Sequence, residues 1–70
     1  MSEHTTTNNP TAEALARDLL HWHNVAVNAE TDNVWFRAVA RQERIADRIT
    51  RVLGTPDWYF NSDTGRLTVR

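Results

Sequence analysis

The sequence predicts a small α+β domain, an antiparallel two-helix hairpin followed by a C-terminal β-hairpin packed on the helices. Three observations carry this expectation. Apolar residues recur at helical spacing in two long segments separated by the short polar break "AETDN" at 29–33. After "GTP" at 54–56 the apolar period changes from 3.6 to 2. Between the two alternating runs that follow lies "NSDTG" at 61–65, where Gly65 can take the positive φ of a short hairpin loop.

The elements follow in order. Residues 1–9, "MSEHTTTNN", are polar and aperiodic and are expected to form a flexible N-terminal tail, leaving 10–70 as the single α-α-β-β domain. Asn9-Pro10 reads as a helix start: the Asn side chain accepts hydrogen bonds from the first-turn amides, and Pro at the first position loses no needed donor. Glu13 adds a negative charge at the positive end of the helix dipole. A helix over about 10–28 then places Ala12, Leu15, Ala16, Leu19, Leu20, Trp22, Ala26 and Val27 on one stripe, with Glu13, Arg17, His21, Asn24 and Asn28 opposite.

Thr31 or Asp32 can cap a second helix over about 33–53. There Val34, Trp35, Ala38, Val39, Ile45, Ala46, Ile49, Val52 and Leu53 share an arc of about 140°, with Gln42 its one polar member. Gly54 supplies the C-terminal cap and Pro56 stops continuation. The short connection makes the helices antiparallel neighbours. In the β-hairpin, Trp58 and Phe60 alternate with Tyr59, and Leu67 and Val69 with Thr68. A lone hairpin is unstable in water, so its aromatic face should lie on the helices. Trp35, and one of Trp58 and Phe60, are expected in the core.

Size limits what holds this together. A chain of 70 residues buries only about 60% of its unfolded surface. It has no cysteine, so neither a disulfide nor a thiolate metal site contributes. Stability must come from well-packed helices or from burial against a copy or a partner. Two helical hairpins could pair into a four-helix homodimer, with Ala38, Gln42 and Ala46 at the contact. The competing arrangement is a monomer whose β-hairpin covers the same stripe. No apolar run approaches the roughly 18 residues of a membrane span, and the N-terminus lacks the blocks of a signal peptide. A cytoplasmic protein without membrane contact is expected.

The charge pattern is unusual. Eight arginines stand beside no lysine, which fits a GC-rich genome such as an actinobacterium's or its phage's. The net charge is −1, so no global basic field draws the chain to nucleic acid. Yet Arg37, Arg41, Arg44, Arg48 and Arg51 recur at steps of 4, 3, 4 and 3 residues, within an arc of about 80° beside the apolar stripe. Asp47 stands three and four residues from Arg44 and Arg51, at ion-pairing distance along a helix.

Three readings of that row stay open. It is a solvated face written in arginine by codon usage. It grips carboxylates on an acidic partner protein. Or it contacts the phosphates of DNA or RNA, with binding that falls steeply as salt rises. Phe36 points away from the apolar arc and Tyr59 lies on the outer face of the hairpin, so both are candidate contact residues.

Other chemistry is absent from the pattern. His21 and His23 are two apart and point about 200° from each other on a helix, so they cannot chelate one ion. Glu30 and Asp32 sit at a helix junction, where capping accounts for them. No nucleophile–base set and no Gly-rich phosphate loop is present. The sequence therefore predicts a non-enzymatic binding or regulatory module without cofactor or metal. It would dock Arg37, Arg41, Arg44, Arg48 and Arg51, with Phe36 and Tyr59, on an acidic protein or, alternatively, on nucleic acid.

Overall fold

The computed structural model describes residues 5–6 and 9–69. In chain order it contains β1 (Thr5–Thr6), α1 (Pro10–Val27), α2 (Asp32–Leu53), β2 (Trp58–Asn61) and β3 (Arg66–Val69). The two helices run side by side, and the sheet packs on α1 through β3. This is the expected α+β arrangement of a helical hairpin with a C-terminal β-hairpin. Most of the flexible tail expected over 1–9 lies outside the described residues. Thr5–Thr6, however, form a third strand, which the polar, aperiodic tail gave no sign of. Sheet order is β1-β3-β2, all antiparallel, with Thr5 opposite Val69 and Thr6 opposite Thr68.

Local chemistry sets the boundaries. The amides of Thr11 and Ala12 donate to Asn9 Oδ1 at 3.0 and 3.1 Å, so the orphan donors of the first turn of α1 are met. Thr31 does the same for α2, accepting from the Val34 amide at 3.3 Å. Gly54 ends α2 in the left-handed region, with φ at 73°, and its amide donates to the Thr50 carbonyl at 2.9 Å. In the β-hairpin turn, Asn61 Oδ1 accepts from the amides of Asp63 and Thr64, and Gly65 takes φ 72° as its amide closes on the Asn61 carbonyl at 2.8 Å. A side chain at position 65 would also press on Leu20, whose Cδ2 stands 3.0 Å from where a Cβ would be.

The core gathers at one end. Ala12, Leu15, Ala16, Leu19, Ile49 and Leu67 are buried together, and Ile45, Val52, Leu53, Trp58 and Phe60 pack around them. Trp58 also donates its indole N–H to Thr50 Oγ1 at 2.9 Å, which ties β2 to α2. Both Trp58 and Phe60 are thus half-buried, and Tyr59 between them is exposed.

The other end departs from expectation. Trp35, expected in the core, is 46% exposed, and Val27 and Val34 of the apolar stripes are also exposed. The cause is length. Trp35 and Leu53 are 18 residues apart, five full turns, so they share one azimuth on α2 but stand about 27 Å apart along it. Strands of four residues reach about 13 Å. Leu53 packs against the core cluster, as Trp58 and Phe60 of the sheet do, whereas Trp35 stands too far along α2 to reach it. The molecule is accordingly elongated, 44 × 22 × 18 Å, with the connection between the helices as its bare tip.

Candidate docking groove

Arg37, Arg41, Arg44, Arg48 and Arg51 are all exposed along one flank of α2. Asp47 pairs with none of them: no ion pair joins any of the five to a described carboxylate. The i, i+3 and i, i+4 spacing brings carboxylate and guanidinium within reach. On an exposed helix such pairs gain only about 0.2–0.5 kcal/mol, which does not hold long side chains against their rotamer entropy.

The row does not run over a uniformly polar surface. Towards the tip, between α1 and α2, lies an open groove of about 600 Å³. Its floor is Trp22 and Val25 from α1 with Val34 from α2, and Ala40 lines its outer margin beyond the arginines. Its cationic side is Arg37, Arg41 and Arg44. The antiparallel hairpin explains the placement, because residues 22–25 near the end of α1 face residues 34–41 near the start of α2. Arg48 and Arg51 continue the row toward the sheet but do not line the groove.

Trp22 and Arg41 meet across the groove. The Arg41 guanidinium carbon lies over the Trp22 ring, 5.6 Å from its centroid, and such a cation–π contact contributes about 0.5–1 kcal/mol at an exposed site. His21 meets Trp22 edge-on, with centroids 5.1 Å apart. Gln42 Nε2 reaches the Trp22 carbonyl at 3.5 Å, a long contact within the chain rather than between copies. Trp22 lies at the margin of α1's stripe in the sequence, and helical spacing alone does not show that a cross-helix arginine covers it.

The remaining candidates fall elsewhere. Phe36 is 64% exposed and packs edge-on against Trp35, their centroids 5.2 Å apart. Phe36 faces away from the apolar arc, on the flank that carries Glu43 and Asp47, whereas Trp35 stands on the uncovered end of that arc. Tyr59 is on the outer face of the sheet, at the opposite end of the molecule from the groove. The arginines, Phe36 and Tyr59 therefore do not form one continuous site. His21 is exposed and His23 half-buried, and among the described residues no group of three or more His, Cys, Asp or Glu side chains could hold a metal ion. A smaller hollow of about 220 Å³ sits where the β-hairpin turn meets α1, with Glu13 beside Arg17 and Arg66. No described helix is long and apolar enough to cross a membrane.

Compared with protein-family models, curated proteins and solved structures, the chain matches none. The geometry of the groove therefore carries the functional argument alone.

Proposed function

We propose that this chain is a small non-enzymatic binding module that docks the arginine flank of α2 on an acidic surface of a partner protein, in the cytoplasm of an organism with a GC-rich genome or of its phage. One observation supports it above the others: Arg37, Arg41 and Arg44, none of them ion-paired with a described carboxylate, border an apolar floor of Trp22, Val25 and Val34. Protein interfaces combine an apolar centre with a polar rim, and Trp and Arg are enriched among their dominant contacts. Guanidinium forks match carboxylates in two parallel hydrogen bonds.

Nucleic acid is the weaker reading. Phosphates need the arginines but gain nothing from a floor of valines. Single strands bind by stacking bases on open aromatic faces, and Arg41 already lies over a face of Trp22. A purely solvated face gives no role to the floor.

A fluorescence-anisotropy titration separates these readings. The ligands are a labelled acidic, leucine-containing peptide and a labelled mixed-sequence DNA of similar charge, each at low and physiological salt. The peptide should bind the wild type, with affinity falling about ten-fold in Arg41→Ala/Arg44→Ala and by a similar factor in Val34→Asp. Tighter binding to DNA, with no response to Val34→Asp, would replace this function with nucleic-acid contact.

A further inference from the structure

The groove lies along the seam of two antiparallel helices, and its chemistry is arranged lengthwise. Arg37 and Arg44 bracket about 10 Å of the α2 axis, and Arg51 extends the cationic row to about 21 Å, or four helical turns. The apolar floor runs beside that row, with Val34 next to the arginines on α2 and Trp22 and Val25 across the seam on α1. A ligand that fills this site needs an apolar edge along the groove and an adjacent acidic edge that can continue past it along the arginine row.

We infer that the occupant is an acidic amphipathic α-helix of a partner protein, laid along the α1–α2 seam as a third helix. This rests on the docking function proposed above and names the kind of segment it takes. Three features of the site select such a helix. Arginines at i, i+4, i+7, i+11 and i+14 repeat at the helical period, so carboxylates at the same period on a neighbouring helix meet them turn by turn. An extended strand, with a rise of about 3.3 Å per residue, passes the same charges out of step. The floor has no unpaired backbone edge, so strand addition has nothing to pair with, whereas helix-in-groove binding needs only an apolar trough.

Charge complementarity also argues against a second copy in that place. The flank that another copy would offer with its own groove is the arginine row itself, and like charges facing each other oppose association. The aromatic flank with Trp35 and Phe36 has acidic neighbours, but its two large rings stand where the trough offers small side chains and a covered indole.

The test uses the full 70-residue chain and three synthetic peptides of about 18 residues, long enough for the four turns of the row. The first carries leucines at i, i+3, i+4 and i+7 with glutamates flanking that stripe. The second has the same composition, scrambled so that no stripe forms. The third keeps the stripe with lysine in place of glutamate. Binding is followed by isothermal calorimetry and peptide helicity by circular dichroism, and sedimentation velocity reads the stoichiometry. The first peptide should bind one to one and gain helicity, at least about ten-fold tighter than the scrambled one, and Val34→Asp should abolish the difference.

Equal binding of the first two peptides would overturn the helix while leaving an acidic partner in place. No binding of either would overturn the helix and the docking function together. Preference for the lysine peptide, or self-association of the chain that excludes the first peptide, would also overturn the inference.

Discussion

Arg41 differs from the four arginines that share its flank. Its guanidinium rests on Trp22 of the neighbouring helix, so part of its rotamer entropy is already lost before a partner arrives. Arg37, Arg44, Arg48 and Arg51 extend from α2 without such a support. Removal of Arg41 should therefore weaken docking more than removal of Arg48, which lies beyond the groove. Trp35 offers a sharper contrast between two readings of one residue. By helical spacing it belongs to the core, where a truncation removes about 3–5 kcal/mol. At 46% exposure, with Phe36 as its ring neighbour, it should yield much less. We expect Trp35→Ala to lower stability by about 1 kcal/mol and Ile49→Ala, fully buried, by about 2–5 kcal/mol. Urea unfolding of the two variants checks both, and a larger loss at Trp35 than at Ile49 would contradict the fold described here.

At the scale of elements, α2 has three faces along one helix. One meets α1 and the sheet, one carries the arginines, and one carries Phe36, Glu43 and Asp47. Its two halves also differ. The C-terminal half packs into the core cluster through Ile49, Val52 and Leu53 and is tied to β2 by the Trp58–Thr50 hydrogen bond. Among the described residues the N-terminal half has α1 beside it and lies away from the sheet. Amide hydrogen exchange should show this as a gradient, with stronger protection at residues 45–53 than at 34–40. The expectation follows because local opening is easiest where few apolar contacts hold the backbone. Uniform protection along α2 would indicate that the tip is covered.

Much of this was legible in the sequence because it is written in local patterns. Asn9-Pro10, Thr31 and Gly54 mark the helix ends by capping chemistry, and "NSDTG" marks the turn by its glycine and its Asn side chain. The arginine row is likewise plain from its spacing. What periodicity cannot convey is where along a helix the covering element stops. Trp35 and Leu53 have the same azimuth and opposite fates for that reason. The pairing of Thr5–Thr6 with β3 was also hidden, since threonines in a polar tail match no strand pattern strong enough to notice. The Trp22–Arg41 contact joins two helices, so neither helix's own spacing reveals it.

As a whole, the molecule divides its work between its ends. The sheet and the core cluster stabilise one end, and at the other Val34 is exposed and Trp22 and Val25 are half-buried beside the arginines. A chain of this size gains little by leaving apolar surface exposed, so a part-open apolar groove with a cationic side is the feature that most calls for a partner. The central claim is that docking occurs in that groove. Its most direct measurement is a proton–nitrogen NMR titration of the labelled chain with the acidic amphipathic peptide. The account predicts that shifts concentrate on the Trp22 indole, on Val25 and Val34, and on residues 37–44, while the Trp58 indole and the β-hairpin stay in place. Shifts spread evenly along the arginine row without the Trp22 indole, or centred on Trp35 and Phe36, would contradict it.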